Sequence, residues 1–257
     1  MKRPILLIVM VYLILTLLIS LPGLKAFGAV SLTGTRLIFD GRFAEASIGV
    51  TNRNNQPVLI QAWLSGARDE EGEPDPSGGD LPFVLTPHLS QVDGQGRQML
   101  RLLYQGEGMP QDKESLLHLY VLEIPRRMEG KHQMSIAVRQ RINVFYRPVG
   151  LEGDPAETAV RLRWTLAPDG ALQVSNPTAF HAALQDLKLG GVEFRDYLLL
   201  APGASQAFPL SAPGSRRLTF SALTDYGAPR AYCAHVNEIE PFSARWLNPT
   251  LQQQKEC

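Results

Sequence analysis

The residues of this 257-residue chain with types suited to chemistry are five histidines, two cysteines and one acidic run. His88, His118, His132, His181 and His235 stand far apart, with no H-E-x-x-H and no C-x-x-C, so no zinc or copper ligand set forms at a known spacing. A G-x-S-x-G nucleophile elbow and a glycine-rich phosphate loop are absent as well. Catalysis therefore has no support here, and neither a metal nor a cofactor is expected. Residues 68–80, R-D-E-E-G-E-P-D-P-S-G-G-D, bring together Asp69, Glu70, Glu71, Glu73, Asp75 and Asp80. Their spacing matches no calcium loop, and Pro74 and Pro76 prevent a compact turn, so a solvated loop between strands is the reading. Cys233 and Cys257 are too few to staple a small domain. In an oxidising compartment they could form one bridge, or Cys257, the last residue, could stay free or pair between molecules. With 25 basic and 25 acidic residues, no overall charge draws the chain to nucleic acid or an anionic membrane. Function must reside in a local site.

The elements that would position such a site are strands. Residues 134–148, M-S-I-A-V-R-Q-R-I-N-V-F-Y-R-P, alternate with period two. Met134, Ile136, Val138, Ile142, Val144 and Tyr146 make an apolar stripe interrupted only by Gln140, while Arg139, Arg141, Asn143 and Arg147 occupy the other face. A strand over 134–146 would run to about 45 Å, against about 20 Å for a usual one. Such an edge is an aggregation hazard unless it is covered or used to capture another chain's strand.

The chain opens Met1-Lys2-Arg3-Pro4, continues through an uncharged apolar run to Leu21 and closes with Pro22-Gly23. Ala26-Phe27-Gly28 then places small residues one and three positions before a cut at Ala29, as a secretory signal requires. An uncleaved anchor is the rival reading, since the run is long enough to span about 25 Å as a helix. No lipobox cysteine precedes the cut. Segment 1–28 is thus expected to be a signal peptide, leaving no stable membrane anchor after cleavage.

From Ala29 onward, short alternating segments are punctuated by Gly, Pro and Asn, and no amphipathic helix exceeds a turn or two. The chain reads as all-β. Strands are expected over 30–39, 46–52, 58–64, 98–103, 116–124 and 134–146, enough for a two-sheet sandwich of immunoglobulin type. Turn residues fall between them, at Asp40-Gly41, Asp93-Gly94 and Glu129-Gly130 among others. After Arg147-Pro148 a Pro/Gly-rich stretch breaks the pattern. A second series follows over 160–167, 171–175, 182–189, 197–200, 206–210, 216–223 and 231–237. The expected domains are therefore 29–148 and 149–257.

Four separated segments together resemble the periplasmic chaperones of the chaperone–usher pilus pathway. They are Ala29-Val30-Ser31-Leu32 with Thr35-Arg36-Leu37-Ile38-Phe39-Asp40-Gly41; Pro110-Gln111-Asp112-Lys113-Glu114-Ser115; Ile142-Asn143-Val144-Phe145-Tyr146-Arg147-Pro148; and Asn176-Pro177-Thr178 with Asp225-Tyr226-Gly227. Each alone is weak, but their order and separations make the set specific. The resemblance implies a boomerang of two immunoglobulin-like β-sandwich domains in the periplasm. It also implies pilin subunits and an outer-membrane usher as partners. Its long strand would be lent to the open groove of a pilin, which makes Met134, Ile136 and Val138 the groove-filling residues.

The resemblance also implies a basic pair that anchors a pilin's C-terminal carboxylate. Its first member falls on Arg36, whose planar fork suits a carboxylate. Where the family has a lysine, this chain has Asn143, which can donate a hydrogen bond but brings no charge. Arg141, two residues away on the same strand face, is the candidate replacement. Glu114, Arg147 and Asp225 fall on an interdomain ionic cluster of structural character. The competing reading is a secreted structural or adhesive two-domain sandwich, which would polymerise or bind a receptor instead of holding one subunit.

Overall fold

The computed structural model describes residues 30–67, 81–125, 136–209, 216–237, 239–247 and 257. The signal segment 1–28, the acidic segment 68–80, His132 and Met134 lie outside these described residues. Period-two alternation becomes strand almost throughout. The first half runs β1 (Val30–Leu32), β2 (Arg36–Asp40), β3 (Glu45–Asn52), β4 (Val58–Gly66), β5 (Phe83–Thr86), β6 (Leu89–Val92), β7 (Arg97–Tyr104), β8 (Ser115–Pro125) and β9 (Val138–Arg147). These form two sheets, ordered β1-β3-β7-β5 and β2-β9-β8-β4-β6. Between them lies one apolar core that includes Phe39, Val50, Leu119 and Val144. Phe39, Phe83, Tyr104 and Tyr146 meet edge to face or tilted, with ring centroids 4.8–6.2 Å apart. A fully buried side chain among them, such as Phe39, stabilises the sandwich by roughly 1.5–3 kcal/mol.

The second half runs β10 (Arg163–Leu166), β11 (Leu172–Ser175), β12 (Ala182–Leu189), β13 (Val192–Leu200), β14 (Ser205–Phe208), β15 (Arg217–Leu223), β16 (Pro229–His235) and β17 (Arg245–Trp246). Its sheets are ordered β10-β11-β14 and β13-β12-β15-β16-β17. A separate core, with Trp164, Leu172, Leu184, Leu187 and Leu218 fully buried, fills the space between them. Cys233 on β16 is disulfide-bonded to Cys257, which settles the pairing that the sequence left open.

Both halves use the same corner. The buried Asn52 amide donates to the carbonyls of Gln56, Val92 and Asp93, and its oxygen accepts from Asn54 N–H. Asn176 donates to Phe180, Leu200 and Ala201, and accepts from Thr178 N–H. Each side chain thereby satisfies loop carbonyls that a sandwich end would otherwise bury unpaired.

Several expected elements differ from the observed ones. The strand expected over 30–39 breaks at Thr33-Gly34-Thr35, because β1 pairs with β3 in one sheet and β2 with β9 in the other. The strand expected over 134–146 is paired only from Val138, and it continues to Arg147. Val160, expected to open a strand, lies in the one-turn helix α1 (Thr158–Arg161), which follows a turn whose N–H at Ala156 bonds to Asp154. β5 and β6 were not anticipated, because each is four residues long and they are separated only by Pro87 and His88. Among the described residues no helix is long and apolar enough to cross a membrane.

Candidate functional site

The site is built on the rung where β2 meets β9. These strands run parallel, with Arg36 opposite Asn143 and Asp40 opposite Arg147. Even-numbered Ile142, Val144 and Tyr146 fill the first core, so alternation turns Asn143, Phe145 and Arg147 toward the second sandwich. The Arg36 guanidinium lies 5.6 Å from the centroid of the Phe145 ring, and its Nε is buried without a hydrogen-bond partner. Burial holds the Arg36 pKa below its ordinary value, opposed by Tyr197, Asp225 and Glu114. A half-desolvated guanidinium with a spare N–H is a site for an anion, above all a planar carboxylate.

Asn143 lies on this rung, and its side chain interacts with the Tyr197 phenol of β13 in the second sandwich. Burial pushes the Tyr197 pKa up, while Arg36, Asn143 and Arg141 pull the other way. Arg141 is exposed and pairs with Tyr120, one rung farther along β9 on the same face as Asn143. The three residues suggested by the sequence for the anchor are thus neighbours, and Tyr197 joins them from the other sandwich. Tyr197 carried no signal in the sequence, since its place depends on how the two sandwiches meet.

At the other end of the same face, Arg147 joins the two halves. Its Nε and Nη2 donate to Glu114 Oε1 at 3.1 and 2.9 Å, and its Nη1 and Nη2 donate to Asp225 at 2.8 and 3.0 Å. Burial alone disfavours the Arg147 cation. Hydrogen bonds and charge from Asp225 and Glu114 more than offset that, so its pKa lies above the ordinary value. Glu114 is buried, and its second oxygen accepts from His181 N–H at 2.8 Å and lies 3.0 Å from His181 Nδ1. Sequence reasoning missed His181. A lone histidine 67 positions from its partner carries no spacing signal. Between these groups is a cavity of about 330 Å³ lined by Arg36, Glu114, Phe145, His181, Asp225 and Tyr232 among others.

The strand that carries these residues is half open. β8 pairs β9 from Val138 to Tyr146, whereas β2 stops at Asn143. Val138 to Ile142 therefore have a strand on one side only among the described residues. Ile136 is 63% exposed and Val138 42%. The third residue expected in that stripe, Met134, lies outside the described residues.

Residues 29–152 match the family model described as pili and flagellar-assembly chaperone, PapD N-terminal domain. Residues 157–234 match that described as pili assembly chaperone PapD, C-terminal domain. The chaperone protein FimB/FhaD of Bordetella pertussis is 34% identical over 221 residues, covering 82% of this chain and 89% of the relative. Among solved structures, the Pseudomonas aeruginosa CupB2 chaperone superposes with a TM-score of 0.68 at 26% identity, covering 80% of this chain and all of the other. The E. coli chaperone DraB superposes with a TM-score of 0.66 at 29% identity, covering 81% and 96%.

Proposed function

The chain belongs to the PapD-type pili assembly chaperones, and on that premise we propose that it captures a pilin subunit by lending it the open edge of β9. The observation that carries this reading is the strand edge at Val138 to Ile142, paired on one side and flanked by exposed Ile136 and Val138. A pilin groove short of one strand would satisfy that edge's backbone and bury the apolar stripe, with Met134, Ile136 and Val138 as its plugs. Each plug contributes roughly 1.5–3 kcal/mol before ordering costs.

Arg36 anchors the subunit's C-terminal carboxylate. The unused Arg36 Nε and the ring beneath the guanidinium support that role. Arg141 supplies the second charge in place of the lysine absent at Asn143. Glu114, Arg147 and Asp225 hold the two domains, 29–148 and 149–257, at a fixed angle, so that strand and anchor are presented together. The protein acts in the periplasm after the signal segment is cut before Ala29. There it delivers the subunit to an outer-membrane usher. Binding itself supplies the free energy, and a neighbouring subunit's strand replaces β9 at release.

The test is co-purification. Expressed with its signal, the protein is isolated from the periplasm, and its companions are identified by mass spectrometry for wild type and Arg36→Ala. A one-to-one complex with a pilin-like chain, lost in the variant, is the expected result. A protein that purifies alone from a strain expressing its candidate pilin overturns the proposal.

A further inference from the structure

Tyr226 carries an aromatic ring that the fold anchors at its backbone and leaves uncovered. It is 96% exposed, and among the described residues no other large hydrophobic side chain is as exposed. The turn beneath it is fixed. Asp225 is held by Arg147 at 2.8 and 3.0 Å, Gly227 N–H donates to the Thr224 carbonyl at 2.8 Å, and Ala228 N–H donates to Thr224 Oγ1 at 3.2 Å. Gly227 lies so close to the first sandwich that a Cβ there would clash with Thr35 Oγ1. A single exposed ring is ordinary on a protein surface, so its place has to decide whether it does anything. That place is the meeting point of two depressions, both lined by Tyr226. One is the cavity that Arg36 and Phe145 line. The other is an open groove along β9, with Thr33, Gly34 and Thr35 on one bank and Gln140, Arg141 and Ile142 on the other.

Resting on the capture reading of β9, we propose that Tyr226 clamps the end of the captured subunit: its ring closes the groove from the second sandwich and packs on an apolar side chain among the subunit's last residues. A chain that ends on Arg36 and pairs with Val138 to Ile142 has its final residues in this groove, because β2 begins at Arg36 and Thr33 to Thr35 turn away to the other sheet. Alternation points every second side chain of such a strand toward the face that carries Arg141 and Asn143, the side on which the second sandwich lies. Charge agrees with this occupant. Arg141 lines the groove and Arg36 the cavity, so a terminal carboxylate meets a guanidinium in each depression that the ring borders. The acid beside the ring, Asp225, has both oxygens held by Arg147. The ring is also preorganised. Its backbone is fixed before binding and a tyrosine has only two side-chain torsions to order, so little entropy is lost when it is covered. Arg36 supplies the charge and Tyr226 the apolar contact from the other domain, which makes capture depend on the angle between the sandwiches.

The experiment uses the pilin-like chain that co-purifies from the periplasm as its probe. Complexes of wild type, Tyr226→Phe and Tyr226→Ala are immobilised through the chaperone, and loss of the subunit is followed over time. Tyr226→Ala is expected to release it about tenfold faster, the scale of truncating one well-packed aromatic contact, and Tyr226→Phe to release it at the wild-type rate. Urea unfolding of the free proteins is expected to give the same midpoint for all three. Wild-type release from Tyr226→Ala overturns the clamp while leaving capture intact. Release from Tyr226→Phe as fast as from Tyr226→Ala overturns it too, since the hydroxyl and not the ring would then hold the subunit. A lowered midpoint in Tyr226→Ala assigns the ring to the chaperone's own fold and overturns it as well. Nitration by tetranitromethane, read by mass spectrometry, tests the contact without a variant. Modification of Tyr226 in the free protein and its loss in the complex are expected, and equal modification in both overturns the clamp. Absence of any companion from the wild type overturns the capture reading and the clamp with it.

Discussion

Arg36 and Asn143 stand opposite each other in the parallel pairing of β2 with β9, at the last rung before β9 loses its neighbour on that side and keeps only β8. The proposed side-chain anchor and the open strand edge therefore begin at the same place. A chain gripped at its end by Arg36 would be positioned to continue along Val138 to Ile142 as an added strand.

Arg36→Ala is expected to abolish recovery of a pilin-like companion from the periplasm, since it removes the guanidinium whose Nε is unused. Arg141→Ala is expected to weaken recovery by about tenfold or more, given that a hydrogen bond to a charged group contributes about 1.5–3 kcal/mol. Unchanged capture in Arg141→Ala, alongside loss in Arg36→Ala, would show that Arg141 does not replace the absent lysine. Asn143→Lys should strengthen capture and relieve the dependence on Arg141.

Val138→Asp is expected to leave the unfolding midpoint almost unchanged, because the side chain is 42% exposed and lies outside the core. It should nonetheless eliminate subunit capture by placing a charge in an apolar groove. Co-purification and urea unfolding of one preparation separate the two effects. A parallel fall in stability would assign Val138 a role in the chaperone's own fold.

Arg147→Ala leaves Glu114, whose side chain is 2% exposed, buried beside His181 without its guanidinium. The expected cost is about 3–5 kcal/mol, as for breaking a buried pair from one side. Asp225→Ala should cost about 1 kcal/mol or less, because that carboxylate is 38% exposed and screened. Urea unfolding measures both. Equal losses would mean that Asp225, not Glu114, holds Arg147.

Gly227 has φ +79°, and a Cβ there would lie 2.5 Å from Thr35 Oγ1 on the other sandwich. Gly227→Ala is expected to destabilise by about 1–3 kcal/mol through the unfavourable backbone and the clash. Adding Thr35→Ala should recover only the clash. Full recovery would show that the backbone conformation costs nothing.

Cys257→Ser opens the bridge to Cys233, which closes a separation of 24 residues. Loop-closure entropy predicts a loss of about 3 kcal/mol. Thermal unfolding with and without reductant checks it. Reductant should destabilise the wild type and leave the variant unaffected.

Much of this molecule follows from local chemistry. Period-two alternation is enough to require strands, and the Pro/Gly break after Arg147 separates the two series, because both depend on neighbours along the chain. Motif order likewise singled out Arg36, Glu114, Arg147 and Asp225. Other features depend on contacts between distant segments, which no local pattern encodes. Thr33 to Thr35 reads as continuous strand, yet the chain changes sheet there because β3 and β9 claim its two ends. Gln140 reads as a flaw in an apolar stripe. Only the opposing sheet reveals the Val30 carbonyl that it satisfies, and only that sheet brings Glu123 to the Val30 N–H. Tyr197 and His181 enter the site from the second sandwich, so their roles depend on how two independently packed cores meet. Alternation along the sequence dictated the strands and the faces they present. The docking of sheets and sandwiches decided which polar groups are buried together, because burial is a property of the assembled surfaces.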